Sequence, residues 1–159
     1  MPRTGKIKPR TIIPDAIYGN ALVAKLIKTV MKSGKKTVAQ KHVYQAFEII
    51  KNQLKNDPLE VFETALRNVT PQMEVRSRRV GGAAYQVPTP IKGRRASSLA
   101  LRWIVSESRK RPSSQYHSFS EKLSAEIIDA SRGEGMAFQK KITSHKMAEA
   151  NKAFAHFRW

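Results

Sequence analysis

The stretch 74-EVRSRRVGGAAYQVP-88 decides how the rest of the chain is organised. Two short runs that favour extended backbone flank the pair Gly81-Gly82, and a glycine pair between such runs is typical of the tight turn of a β-hairpin. Pro88 and Pro90 close the second run. We therefore predict a two-stranded antiparallel β-ribbon over residues 72–90.

The glycine turn also fixes which residues of the ribbon face each other. Arg78 should lie opposite Tyr85, and Arg76 opposite Val87. Because residues two apart on a strand share a face, arginine and tyrosine fall on the same side of the ribbon. Such a face suits backbone phosphates and unstacked bases better than a hydrophobic core. The ribbon residues expected to contact nucleic acid are Arg76, Arg78, Arg79 and Tyr85.

Apolar residues with helical spacing predict helices on both sides of the ribbon. The clearest start is Asp57-Pro58-Leu59-Glu60, which has a cap acceptor, proline in the first turn and glutamate three residues after the cap. Thr70-Pro71 stops that helix, because proline disfavours helical geometry in the residue before it. The predicted helices are 22–31 with Gly34 as its end, 36–54, 58–69, 94 to about 109, 119 to Gly133, and 134 to about 150.

The composition describes a folded, strongly basic protein. Thirty Lys and Arg against twelve Asp and Glu give a net charge of +18 among 159 residues. Such an excess repels itself unless counter-charge is supplied, so a polyanion is the expected partner. The chain has no cysteine, which excludes disulfides, thiolate zinc sites and cysteine nucleophiles. No apolar run reaches the length of a membrane span, and no signal peptide is seen, so we expect a soluble, intracellular protein.

Basic residues cluster in particular parts of the chain. The segment 1–13 has no acid and few large apolar residues, which favours an arm that orders on nucleic acid over an untethered tail. Between Val75 and Ser106 there is no acidic residue either, which is unusual for a solvated surface with mixed charges. Lys35-Lys36 either offer a basic loop to phosphate or belong to an ordinary solvated loop. The residues expected to bind RNA or DNA in these regions are Arg3, Lys6, Lys8, Arg10, Lys35, Lys36, Arg94, Arg95 and Arg102.

The last helix and the tail 147–159 form a second, weaker candidate. The end of the tail is aromatic and basic together, so it either docks on the body as a hydrophobic segment or meets RNA or a neighbouring protein. The possible contacts here are Lys140, Lys141, Lys146, Arg158 and Trp159.

The sequence offers no catalytic, metal or cofactor site. Gly34-Lys35-Lys36-Thr37 is not a phosphate loop, because Thr29 stands where that motif needs glycine and Lys36 where it needs serine or threonine. The four histidines are scattered without metal-ligand spacing. Three classes of protein remain: a structural RNA-binding protein, an architectural DNA-binding protein whose ribbon enters a groove, and a nucleic-acid enzyme that would need a carboxylate cluster or a metal. Arginine beside tyrosine favours irregular or single-stranded RNA.

Four segments resemble the family of small ribosomal subunit protein seven in its bacterial and organellar form. They are GKKTVA (34–39), the ribbon sequence 74–88, RRASSLALRWIV (94–105) and MAEANKAFAHFRW (147–159). The likeness covers essentially the whole chain in the same order. It implies one rRNA-binding domain over 1–159, mainly α, built as a bundle of about six helices with the β-ribbon between the third and fourth.

The resemblance also implies a function and partners. The family binds small-subunit ribosomal RNA as a primary binder, nucleates assembly of the subunit head, and directs its ribbon toward exit-site tRNA and mRNA. Implied protein neighbours are other head proteins and protein eleven of the platform, with no cofactor, membrane or small-molecule substrate. The expected location is the cytoplasmic ribosome of a bacterium, or the ribosome of an organelle that encodes its own ribosomal proteins.

Overall fold

The computed structural model describes residue 5 and residues 11–157, and this part of the chain contains six α-helices, a two-stranded antiparallel sheet and a final 3₁₀ helix. The sheet lies between the third and fourth helices, which confirms the predicted fold class. The elements are α1 (Ala21–Val30), α2 (Lys36–Leu54), α3 (Pro58–Val69), β1 (Met73–Val80), β2 (Ala83–Pro90), α4 (Arg94–Lys110), α5 (Phe119–Ser131), α6 (Gly135–Ala150) and the 3₁₀ helix (Lys152–Phe157).

Helix α5 is the centre of the bundle. It packs against α2, α3, α4 and α6, and its Leu123 and Ile127 are fully buried. Phe47 of α2 and Phe62 of α3 meet in the same core with ring centroids 5.7 Å apart. Burying side chains of this size contributes roughly 1.5–3 kcal/mol each. The apolar side of α5 is therefore the surface on which the other helices assemble.

Local sequence signals set the start of α3 but not the end of α1. The Asp57 side chain accepts a hydrogen bond from the amide of Leu59 at 3.0 Å, so it caps α3 as predicted. Helix α1, however, ends at Val30 and not at Gly34. The chain first turns through Ser33 and Gly34, both left-handed with φ of 51° and 73°. Gly34 therefore shapes the loop that follows the helix.

The ribbon has the predicted register, with Arg76 opposite Val87 and Arg78 opposite Tyr85. Gly81 and Gly82 have φ of 57° and 89°, and positive φ at both central residues is what a type I′ turn requires. A Cβ on either glycine would meet nothing within 4 Å. Backbone conformation, and not lack of space, therefore favours glycine at the tip.

The base of the ribbon is tied to α6. The amide of Gln72 donates to Nε2 of His145 at 3.0 Å, and the Ser144 hydroxyl donates to the carbonyl of Met73 at 3.2 Å. These bonds satisfy backbone groups where the chain leaves α3 and enters β1. The ribbon is thus fixed at its root while its tip extends from the bundle.

A buried carboxylate joins α5 to the end of α4 and the start of α6. Glu126 of α5 is fully buried and accepts from Arg111 Nε at 2.8 Å, just beyond α4. Its other oxygen accepts from the amide of Ala137 at 2.8 Å, in the first turn of α6. A Cβ on Gly135 would lie 3.0 Å from the Asp129 Cβ, so glycine allows this close approach of α6 to α5. Sequence pattern did not reveal this network.

Candidate nucleic-acid interface

Helix α4 carries a stripe of arginines on the side opposite its buried face. Arg95, Arg102 and Arg109 follow one another at intervals of seven residues, and all are exposed. Seven residues make close to two helical turns, so these side chains lie in line. The buried side of the same helix includes Ala100, Leu101, Ile104 and Val105.

Glu74 joins the root of the ribbon to the start of α4. Arg95 donates to both of its carboxylate oxygens, with Nε to Oε1 at 2.8 Å and Nη2 to Oε2 at 2.8 Å, and Arg76 forms a second ion pair with it. The hydrogen bonds from Arg95, followed by those from Arg76, hold the pKa of Glu74 below its usual value although partial burial acts to raise it. Glu74 therefore offsets positive charge at Arg76 and Arg95.

The other cations at this end of α4 keep their charge without such a partner. Arg79, Lys92, Arg94 and Arg102 are exposed, and within residues 11–157 none of them forms an ion pair. Their charge is available to phosphate. The fold thus divides the basic residues of the ribbon and α4 into paired and available ones, a distinction that the sequence alone did not show.

The ribbon face that bears Tyr85 meets the end of the chain. The Tyr85 ring lies 5.2 Å from Phe154 and 5.1 Å from Phe157 between centroids. We expected this face to be open to unstacked bases, but the 3₁₀ helix packs on it, because its two phenylalanines shed water there. The described part of the tail thus docks on the ribbon. Contact of Tyr85 with tRNA or mRNA stays a prediction.

The lysines of α6 mostly face the protein. Lys140 forms an ion pair with the buried Glu107 at 2.6 Å, and Lys141 donates to the carbonyl of Asn68 at 2.6 Å. Lys146 is exposed. The second basic face expected from the sequence is therefore split, with two lysines fastening α6 to α4 and α3. Their contact with RNA is not tested by these bonds.

Lys35 and Lys36 lie at the far end of α4 from the ribbon. Both are exposed, with Lys35 at the N-cap of α2 and Lys36 as its first residue, and Lys35 lines a groove together with Arg109 at the end of α4. Since α4 has 17 residues, its length is about 25 Å. The arginine stripe therefore connects the ribbon at one end with the lysine loop at the other.

Sequence reasoning missed several cations of this surface. Arg109 was left out although its spacing of seven from Arg102 would have indicated it, and Lys32 and Lys122 join it in the groove. The other sequence candidates, Arg3, Lys6, Lys8, Arg10, Arg158 and Trp159, lie outside the described residues.

Within the described residues, no group of three or more His, Cys, Asp or Glu is placed to hold a metal ion. The helices of this part of the chain are too short or too polar to span a membrane.

The sequence matches the family model of ribosomal protein S7p/S5e over residues 2–152. The chain belongs to this family. Similar proteins, each called small ribosomal subunit protein uS7, occur in Carboxydothermus hydrogenoformans at 55% identity, Acetivibrio thermocellus at 54% and Moorella thermoacetica at 53%. In each comparison 159 residues align, covering 100% of both chains. This S7p/S5e protein is therefore a structural component of the ribosome and not an enzyme.

Proposed function

We propose that this S7p/S5e protein is a primary binder of small-subunit ribosomal RNA and nucleates assembly of the subunit head. The observation that carries the proposal is the arginine stripe of α4, which joins the ribbon to the lysine loop. Glu74 pairs with its first arginine, and the one acid within α4, Glu107, is buried and pairs with Lys110 and Lys140. Phosphates of a folded RNA lie along this line, and counterions leave as they bind. The segment 1–13 adds Arg3, Lys6, Lys8 and Arg10 to the same contact.

The ribbon has a separate role in this proposal. Its tip, with Arg78 and Arg79, is directed toward exit-site tRNA and departing mRNA, while its root is held by Glu74 and α6. Neighbouring head proteins and protein eleven of the platform complete the surroundings. The relatives compared are bacterial, which supports a place in the cytoplasmic ribosome.

The first test uses salt dependence of binding to an rRNA fragment from the head region. Log affinity falls by about 0.7–0.9 per phosphate contacted for each decade of salt. Replacing Arg94 and Arg102 with alanine should flatten the slope by about 1.4–1.8. Arg95→Ala should flatten the salt dependence less than Arg94→Ala or Arg102→Ala alone, because Glu74 already offsets the Arg95 charge.

The matched control removes two exposed arginines elsewhere, Arg67→Ala with Arg132→Ala. It changes the net charge equally and should leave most of the slope intact. An unchanged slope in the Arg94 and Arg102 variant would sink the assignment of α4 to rRNA.

The second test separates the ribbon from rRNA binding. Deleting the tip from Arg78 to Tyr85 should leave rRNA affinity largely intact, because the α4 stripe remains. Subunits carrying this variant should show altered tRNA retention or mRNA positioning, measured on the assembled ribosome. Loss of rRNA binding would instead mean that the ribbon is part of the primary contact.

A further inference from the structure

A groove of about 470 Å³ lies between the α1–α2 loop and the start of α5, at the end of α4 farthest from the ribbon. Its floor is apolar and includes Val30, Val38 and Phe119. Val38 is 49% exposed, so its side chain is accessible to a molecule in the groove. The Phe119 ring is held by an edge-on contact with His42, 5.8 Å between centroids.

The rim of this groove is basic. Its lining includes Lys32, Lys35, Arg109 and Lys122 and no acidic residue. The left-handed turn at Ser33 and Gly34 brings the first two lysines to one side, where the amide of Lys35 donates to the carbonyl of Lys32 at 3.0 Å.

The other two cations are each held by a hydrogen bond. Arg109 donates Nη2 to the carbonyl of Val30 at 2.9 Å, and Lys122 donates to the Ser113 hydroxyl at 2.8 Å. A guanidinium has five N–H donors and an ammonium three. Both groups are therefore positioned by one bond and retain donors for an anion.

The positive charge of the rim and the position of the groove at the end of the α4 stripe identify what binds in the groove. The first ten residues of this chain carry four Lys and Arg and no acid, so the basic rim repels them. The groove continues the α4 stripe, since Arg109 lies two turns from Arg102, about 10 Å along the helix. A polyanion bound along α4 thus reaches the groove directly. An apolar floor under a cationic rim matches a base with its own phosphate, because bases of single-stranded RNA pack on apolar and aromatic surfaces.

We propose that this groove binds one unstacked nucleotide of ribosomal RNA, with the base on Val38 and Phe119 and its phosphate between Lys35 and Lys122. The inference rests on the proposed rRNA-binding function and adds a base pocket to it. It gives Val38 and Phe119 the role of contacting the base and Lys122 the role of contacting the phosphate.

The first experiment is photocrosslinking in small subunits reconstituted with the full-length protein. A photoreactive phenylalanine replaces Val38, and a control replaces Ile17, an exposed apolar residue that does not line the groove. Position 38 should crosslink to the base of one nucleotide, and position 17 should not reproduce that crosslink. Crosslinking of position 38 to a protein peptide, or the same RNA products from both positions, would overturn the proposal.

The second experiment uses the isolated full-length protein and NMR. Uridine 5′-monophosphate should shift the methyl signals of Val38 and the ring signals of Phe119, whereas inorganic phosphate should affect the rim alone. Lys122→Ala should weaken the nucleotide response several-fold, and the exposed control Lys51→Ala should not. If nucleotide and phosphate give the same shifts, no base pocket exists.

The two failures are distinguishable. A wild-type protein that binds the rRNA fragment with steep salt dependence, yet shows no response at Val38, disproves the pocket and leaves the proposed function standing. A wild-type protein that does not bind the fragment disproves the proposed function itself.

Discussion

Two glutamates decide which cations near the ribbon and α4 are paired. Glu74 and Glu107 stand immediately outside the long stretch that lacks acids, and each gathers two basic side chains. Glu74 forms ion pairs with Arg95 and Arg76. The buried Glu107 forms ion pairs with Lys140 and Lys110. One glutamate at each end of this stretch therefore holds some of the basic side chains in place, and the other basic side chains remain available to an external anion.

Glu107 should make stability depend on pH in the acid range. Burial acts to raise the pKa of Glu107, but hydrogen bonds from Lys140 and Lys110 outweigh it and hold the pKa below its usual value. A carboxyl with a depressed folded pKa stabilises the protein above its unfolded pKa, about 4.3, and loses that contribution as pH falls through the folded value. Glu107→Gln should cost about 1–3 kcal/mol at pH 7, measured by urea denaturation.

The difference between wild type and Glu107→Gln should shrink below about pH 4. The exposed Glu149→Gln serves as the control and should change little at any pH. A difference that stays constant down to pH 2 would show that the charge of Glu107 is not what stabilises α6 against α4.

At the scale of elements, the ribbon and the end of the chain form one unit. Tyr85 lies against Phe154 and Phe157, so the 3₁₀ helix covers part of β2. The alternation of residues on a strand predicted which side of the ribbon Tyr85 occupies. It could not predict what covers that side, because the partner is some 70 residues away and its approach depends on the direction in which α6 leaves the bundle.

Tyr85→Ala should release the 3₁₀ helix without unfolding the bundle. Aromatic pairs contribute about 0.5–1.5 kcal/mol beyond burial, so amide exchange over 152–157 should become up to about tenfold faster. Hydrogen exchange read by mass spectrometry measures this, with global stability followed in parallel. Gln86→Ala, the exposed neighbour whose side chain points to the other face of β2, should leave the exchange unchanged.

The ends of the helices show which limits neighbouring residues in the sequence can predict. The cap of α3 at Asp57 and its stop before Pro71 follow from neighbouring residues alone, and the sequence predicted both. Gly34 was assigned as the end of α1, yet the helix ends at Val30. In the turn that follows, Ser33 has left-handed backbone next to Gly34. Serine has no special preference for that conformation, so the sequence did not predict it.

At the scale of the whole molecule, the net charge of +18 opposes folding of the free protein. Most cations lie on the surface within a Debye length of others at low salt. Raising NaCl from 20 to 200 mM should therefore increase the melting temperature, by about 2–4 °C for each kcal/mol of repulsion that is screened.

Thermal unfolding followed by circular dichroism measures this effect. The Arg94→Ala and Arg102→Ala double variant carries less charge and should show a smaller rise. A melting temperature that falls with NaCl would mean that screened ion pairs, such as those of Glu74, outweigh the general repulsion.

Neighbouring residues and composition were enough to predict the helices, the ribbon with its register, the basic character and the family. The pairing of Glu74 with Arg95, the groove shared by Arg109 and Lys35, and the packing of the tail on Tyr85 became known only from the folded structure. These contacts join residues far apart in the chain, and a pattern with a period of two or 3.6 residues carries no information about such distances. Local chemistry thus specified the parts, and the packing around α5 specified which charges remain available for RNA.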